Sequence, residues 1–333
     1  MLRYFAEFIH LLMQSFQELS IGFKKHFETE HFPAQPSSLY DPGRYFLSIG
    51  GKRIRPVLCL MGNELFGDIK DDAWKVATAI ELFHNFTLIH DDIMDKAPLR
   101  RGMQTVHQKY GDSTALLSGD VMLIVAYEYL NKINSSYLQR IISLFNQTAK
   151  KVCEGQQLDM DGEKTPSVKL NDYLRMIELK TSVLLAASLE MGGIIGGASA
   201  HNCKHLYEFG KSLGIAFQVQ DDYLDAFGDP QKFGKDVGGD IRQNKKTFLL
   251  LHALEVANDT QQREMMNLLS TESEDKVERM LAIYKDCNAD AWAKELKEKY
   301  MNTAMQHLED MAVVSVRKKP LEELADYLIS RDY

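Results

Sequence analysis

The chain has 333 residues, 45% hydrophobic and 26% charged, which is long enough to bury a large core and ordinary enough for a water-soluble globular protein. A formal net charge of -8 excludes sequence-independent nucleic-acid binding, because that mode depends on basic surface to neutralise phosphates. Cys59, Cys153, Cys203 and Cys287 are widely spaced and form no CxxC pair, so neither a zinc site nor a disulfide framework is indicated and a cytoplasmic, reducing setting is expected.

The opening MLRYFAEFIHLLMQSFQ reads as an amphipathic first helix, since Glu7 and His10 interrupt its apolar run and no small-residue cleavage site follows. No run approaches the ~18 apolar residues of a membrane span, so no stable membrane insertion is expected. After a break at Pro33 to Gly43, the stretch SIGGKRIRP offers flexible Gly50 and Gly51 and then Lys52, Arg53 and Arg55 just before a helical pattern. Backbone donors and cations can converge there on one anion. From Asp71, DDAWKVATAIELFHNFTLIHDDIMD places Ala73, Val76, Ala77, Ile80, Phe83 and Phe86 at i, i+3, i+4 spacing, opened by aspartates suited to capping. Similar patterns return in TALLSGDVMLIVAYEYL, YLQRIISLFNQTAKKVCEGQQLDM, LNDYLRMIELKTSVLLAASLE, KHLYEFGKSLGIAFQVQDDYLD and DAWAKELKEKYMNTAMQHLEDM. Further breaks are expected at Lys96 to Gly111, around Gly162 to Pro166, at GGIIGGA from Gly192, and at Gly228 to Lys246. With no alternating strands and no low-complexity linker, the fold expected is all-α, one large domain over residues 1–333.

Two acidic clusters carry the chemistry. HDDIMD holds Asp91, Asp92 and Asp95; QDDYLD repeats the pattern at Asp221, Asp222 and Asp225. At ordinary composition the pattern should arise by chance about 0.1 times in such a chain, so two copies are not accidental. On a helix, residues i and i+4 share a face, so Asp91 projects with Asp95, and Asp221 with Asp225. Two such helices facing each other would form a carboxylate-lined cleft whose repulsion is relieved by hard divalent cations, magnesium with a diphosphate being the natural candidate. Solvated acidic helix ends are the plainer reading, but acid at a helix C-terminus opposes the macrodipole. Lys52, Arg53 and Arg55 alone could be a solvated helix start. Beside Arg100 and Arg101 they indicate a second anion site, held directly by cations.

GGKRIRP, HDDIMD with RRG, LLSGD, EGQQLD, LKTS, FQVQDDYLD and GKDVGGDIRQNKKT, spanning about Gly50 to Thr247, occur in the order seen in trans-isoprenyl diphosphate synthases, the polyprenyl synthetase family, which the chain closely resembles. The resemblance implies an all-α isoprenoid synthase bundle around a central apolar cavity, a homodimer, three magnesium ions, and head-to-tail condensation of isopentenyl diphosphate with an allylic diphosphate. It assigns Asp91, Asp92, Asp95, Asp221, Asp222 and Asp225 to the metals. Arg100, Lys180, Lys235 and Lys245 match residues on the allylic diphosphate; Lys52, Arg55, His84 and Arg101 match the isopentenyl diphosphate site. Thr181 and Gln218 would face the reacting carbons, and Lys245 would arrive when the segment Gly228 to Lys246 closes as a lid. Helix arithmetic places His84, seven residues before Asp91, about 20 degrees from its direction.

The family pattern departs at Asn244, where glycine is common, and at Gln104, where many have proline. The two-residue gap in DDIMD differs from the insertion in the usual bacterial farnesyl synthases. A short-chain product is expected, geranylgeranyl diphosphate ahead of farnesyl diphosphate. Phe86, five residues before Asp91, matches the position whose bulk forms the floor of the chain pocket, although an ideal helix puts Thr87 rather than Phe86 under the aspartates. Rival readings are a class I terpene cyclase, which binds one diphosphate and would not need Lys52 and Arg55; an HD-type phosphohydrolase, suggested by His90-Asp91 but lacking an upstream histidine pattern; and a non-catalytic prenyltransferase partner, against which the intact aspartates argue.

Overall fold

The structure is a computed structural model of the chain, and it describes residues 13–165, 167–229, 237–271 and 273–329. The first-helix expectation falls mostly on residues 1–12 and so lies outside the described residues. In chain order the helices are α1 (Phe16–Phe27), α2 (Ser37–Ser48), α3 (Ile54–Glu64), α4 (Asp71–Met94), α5 (Val106–Tyr110), α6 (Asp112–Leu130), α7 (Ser135–Lys164), α8 (Leu170–Ile177), α9 (Val183–Gly196) and α10 (Ala200–Phe227). They are followed by α11 (Gly239–Arg242), α12 (Phe248–Val256), α13 (Asp259–Ser270), α14 (Lys276–Asp286), α15 (Ala289–Asp310) and α16 (Ser315–Ile329). A π-helical turn, Glu178–Ser182, joins α8 to α9. The one sheet among the described residues is a hairpin of β1 (Leu99–Arg100) with β2 (Met103–Gln104).

Packing divides the chain into two units: Met1–Gln147 with Ala187–Leu206 and Met311–Pro320, and Thr148–Ala186 with Tyr207–Asp310 and Leu321–Tyr333. In the first, α4 packs against α3 and α6. It is apolar nearly all round, with Ala73, Val76, Ala77, Ala79, Ile80 and Leu82 fully buried, the mark of a core helix rather than a surface one. Its opening aspartates do not cap it, contrary to expectation. The N-cap is Lys70, without a side-chain cap bond, and Asp72 instead accepts from the Asn134 backbone N–H at 3.2 Å. Both acids still lie in the first turn, where they complement the helix dipole.

The GGIIGGA break is also corrected. Helix α9 runs on to Gly196, and the chain turns only at Gly197 with φ +94. A Cβ at Gly192 would stand 1.9 Å from the Cys59 carbonyl oxygen, and one at Gly196 2.7 Å from that of Asn63. These glycines let α9 lie backbone-to-backbone on α3; they mark close approach, not flexibility.

In the second unit α12 is the hub, packed by α8, α14 and α15. Its run Phe248 to Leu251 joins Tyr173, Ile177, Val219, Met280 and Tyr284 in one apolar cluster. The described helical run long and apolar enough to cross a membrane, Leu170–Gly196, has 78% of its apolar window buried within the protein. All four cysteines are free thiols, and only Cys153 is exposed.

Candidate active site

The first unit presents the basic loop and the first aspartate motif. Gly50 at φ +78 and Arg53 at φ +53 both take left-handed backbone, so the loop turns sharply into α3. Arg55, in the first turn of α3, places Nη1 3.1 Å from His84 Nε2 on α4, while its Nε is buried without a hydrogen-bond partner. Burial, first, and then the neighbouring Arg55, Arg101, Arg100 and Arg53 push the His84 pKa well below the histidine range. His84 is therefore neutral, its Nε2 accepting from Arg55. Burial also lowers Arg55 itself to about 10, with Arg101 adding to the effect and Glu81 opposing it. Arg53 behaves differently from the sequence expectation: its guanidinium is turned inward onto Glu81.

The RRG segment is the tip of the hairpin. Arg101 at φ +53 and Gly102 at φ +78 supply the two left-handed residues that a two-residue turn between right-twisted strands demands. Its two arginines diverge. Arg100 forks onto Asp92, with Nε 2.9 Å from both carboxylate oxygens and Nη2 2.7 Å from Oδ1. Arg101 lies over Gly51, where a Cβ would meet its Nη1 at 2.7 Å. Asp92 is thus buried and paired with Arg100, while Asp91 is half-buried and Asp95, the C-cap just past the end of α4, is exposed. Lys52 is exposed on the loop. Phe86 stacks edge-on to His90 at 4.6 Å and packs on Phe83 at 5.7 Å, and Gly119 of α6 admits the His90 ring, which a Cβ would meet at 2.4 Å. Thr87 turns its hydroxyl back onto the His84 carbonyl at 2.8 Å.

The second unit holds the other motif. Lys180 and Thr181 sit in the π-helical turn, an interruption of the α-helical ladder that recurs at functional sites. Two glycines hold that turn in place. A Cβ at Gly155 would meet the Lys180 backbone N at 2.3 Å, and one at Gly214 the Ser182 Cα at 2.8 Å. Lys180 Nζ pairs with Asp159 of α7. Asp222 is buried, accepts from Gln218 Nε2 at 2.9 Å and takes the Tyr173 hydroxyl. Burial first, and then the charges of Asp240 and Asp221, raise its pKa to about 7, although Tyr173 and Gln218 pull it down. Asp225 accepts from the Asp240 backbone N–H at 2.9 Å, seating the short α11, and Asp240 in turn pairs with Lys245 at 2.9 Å. Lys246, next in sequence, donates to the Gly162, Glu163 and Thr165 carbonyls and so caps α7. Asn244 adopts φ +57 and accepts from the buried Lys276 at 2.6 Å, which explains both the usual glycine here and the tolerance for asparagine. Lys235 lies outside the described residues.

Glu81, Asp159, Tyr173 and Asp240 were missed by sequence reasoning as partners of site residues. Asp159 and Asp240 do stand inside the EGQQLD and GKDVGGD stretches, so a signal was present; Tyr173 and Glu81 carry none beyond helical periodicity.

Comparison with known proteins fits this geometry. The sequence pattern of the family described as polyprenyl synthetase matches residues 36–287. A geranylgeranyl diphosphate synthase of Methanosarcina mazei is 37% identical over 303 residues, 90% of this chain and 91% of that one. A geranylfarnesyl diphosphate synthase of Natronomonas pharaonis is 33% identical, covering 92% and 94%. A solved geranylgeranyl pyrophosphate synthase superposes with TM-score 0.91 at 40% identity over 96% of this chain and 99% of that one. An all-α isoprenoid synthase fold carrying two aspartate motifs defines the class. The chain belongs to the polyprenyl synthetase family, and it is a trans-prenyltransferase. The cyclase, phosphohydrolase and non-catalytic readings fall with that.

Proposed function

We propose that the chain condenses isopentenyl diphosphate head-to-tail with an allylic diphosphate and releases geranylgeranyl diphosphate, the product named for its archaeal relative. The observation that carries this reading is the basic pocket of the first unit: Arg55 and Arg101 have no ion pair with a carboxylate among the described residues, and they surround a neutral histidine. Cations kept in such a place are built for an anion supplied from outside. In this reading Lys52, Arg55, His84 and Arg101 hold the isopentenyl diphosphate, His84 by steering the Arg55 fork.

The aspartates suit magnesium by their chemistry: all are oxygen donors, and burial, with the charges of Asp240 and Asp221 added to it, raises the Asp222 pKa to about 7. Magnesium held by Asp91, Asp92, Asp95, Asp221, Asp222 and Asp225, three ions by family resemblance, would neutralise charge on the departing diphosphate. Arg100, Lys180, Lys235 and Lys245 bind that same leaving group. Thr181 and Gln218 turn oxygen dipoles toward the allylic carbon as it becomes cationic, the isopentenyl double bond attacks it, and the proton lost passes to the released diphosphate. No protein nucleophile is required.

Phe86 closes the chain pocket in this reading, with Thr87 beside it. One functional domain, a homodimer and a cytoplasmic setting complete the proposal. The dimer is supported by Leu116, Leu117 and Ile124, large apolar residues exposed along one face of α6. Steady-state kinetics of Lys52→Ala and Arg55→Ala test the two-site allocation. The isopentenyl diphosphate KM should rise by about tenfold or more, the worth of one charge-assisted contact, while the allylic KM stays put. The reverse pattern would exchange the two sites.

A further inference from the structure

Arg53 reads in sequence as a third cation beside Lys52 and Arg55, yet its surroundings give it a different task. Its side chain is 9% exposed and its guanidinium pairs with Glu81, whose side chain is 5% exposed. Nη2 lies 3.4 Å from the Leu47 carbonyl oxygen, and the guanidinium carbon stands 4.9 Å above the Phe27 ring. Asn85 shares the carboxylate oxygen that Arg53 meets, its Nδ2 donating to Glu81 Oε1 at 2.9 Å and to the Glu81 carbonyl at 2.6 Å. A buried charge needs a partner, and here each ion has one. The guanidinium is therefore committed to Glu81 and is not offered to a ligand.

The backbone agrees. Arg53 is the N-cap of α3 at φ 53, ψ 31, a conformation uncommon for a residue with a Cβ, and it caps nothing with its side chain. Something other than local preference keeps it there, and the inward pull of Glu81 supplies it. Glu81 and His84 are three residues apart on one face of α4, and they receive Arg53 and Arg55 in turn. Two rungs thus tie residues 53–55 to the face of α4 that leads on to Asp91.

We infer that Arg53 is a positioning residue of the isopentenyl diphosphate site: paired with Glu81, it fastens the loop that carries Lys52 and the first turn that carries Arg55 to α4, and it keeps the Glu81 carboxylate from forming an ion pair with Arg55 or Arg101. The inference rests on the reading that Lys52 and Arg55 hold that diphosphate. If Arg53 were lost, the Glu81 anion would compete with the substrate for the same cations, since its charge already acts on both Arg55 and Arg101.

The test is a small cycle of variants, each checked for folding by circular dichroism and thermal melting, with KM measured separately for isopentenyl diphosphate and an allylic diphosphate in the presence of magnesium. Arg53→Gln should raise the isopentenyl KM by about tenfold or more, with kcat and the allylic KM changed by less than about threefold. The double variant Arg53→Gln/Glu81→Gln, which removes the stranded carboxylate but still lacks the rung, should recover part of that loss, down to the level of Glu81→Gln alone. Glu81→Gln alone should also raise the isopentenyl KM, because the rung is broken. A direct phosphate role for Arg53 predicts the opposite on two counts: Glu81→Gln frees the guanidinium and lowers KM, and the double variant is no better than Arg53→Gln. Either result overturns the inference, as does an unchanged KM in Arg53→Gln. If Arg53→Gln does not fold, the sign of the Glu81→Gln effect decides. Lys52→Ala runs alongside: an unchanged isopentenyl KM there removes the parent reading, whereas a raised one with Arg53→Gln unaffected removes only this inference.

Discussion

Asp222 shows how one carboxylate can report on the state of the site. Burial and the charges of Asp240 and Asp221 raise its pKa to about 7 from an ordinary 3.8. Between those values the folded protein without metal holds a proton that the unfolded chain has shed, so this group's contribution to stability falls as pH rises from about 4 to about 7 and is level above. Asp222→Asn removes that dependence. Its melting temperature should exceed that of the parent above pH 7, and the gap should close toward pH 5. A pH-independent gap would mean that Asp222 is charged throughout. Under the proposed metal assignment magnesium displaces the same proton, so apparent magnesium affinity should strengthen with pH through this range. Asp91→Ala and Asp221→Ala should each cut turnover by about a hundredfold or more at saturating substrate, because the lost ligand acts most strongly as charge develops on the leaving group. The aspartates and basic residues were legible because their bunching violates what a solvated helix would use. What each charge faces was not legible. Arg53 and Arg55 look alike in the sequence, and only the fold reveals that one meets Glu81 and the other His84.

At the scale of elements, the π-helical turn depends on a glycine. A Cβ at Gly155 would press on the Lys180 backbone at 2.3 and 2.6 Å, and backbone cannot rotate away. Gly155→Ala should therefore push α7 off the turn, destabilising by roughly 1 to 3 kcal/mol and displacing Lys180 and Thr181 with a large fall in kcat. Gly162→Ala, in the same helix, is the control. Its nearest neighbour would be a Val168 methyl at 3.9 Å, and it should be neutral or stabilise by up to about 1 kcal/mol. Equal effects in urea denaturation would refute the contact argument. The helices themselves were readable from 3.6-residue periodicity, but the meaning of their glycines was not. GGIIGGA looks like a hinge locally and is close packing in the fold, because the Cys59 and Asn63 carbonyls that exclude a side chain lie more than a hundred residues away in sequence. The hairpin at Leu99 to Gln104 was likewise hidden in an expected break, being only two residues per strand.

For the whole molecule, the exposed Leu116, Leu117 and Ile124 on α6 predict a self-association surface. Light scattering should give about twice the 38.0 kDa chain mass, and Ile124→Glu should yield the monomer. A monomeric parent would contradict the dimer. Product length belongs to this scale too. Phe86→Ser should lengthen the products while leaving diphosphate binding in place, since the Phe86 ring packs on Phe83 and His90 and not on the cations. An unchanged distribution in a folded, active variant would place the floor elsewhere. The most direct test is to incubate the protein with magnesium, labelled isopentenyl diphosphate and farnesyl diphosphate, and to identify the dephosphorylated product by chromatography and mass spectrometry. Geranylgeraniol, absent when a chelator is added, is the result predicted; a cyclic hydrocarbon, or no incorporation of label by folded protein, would contradict it.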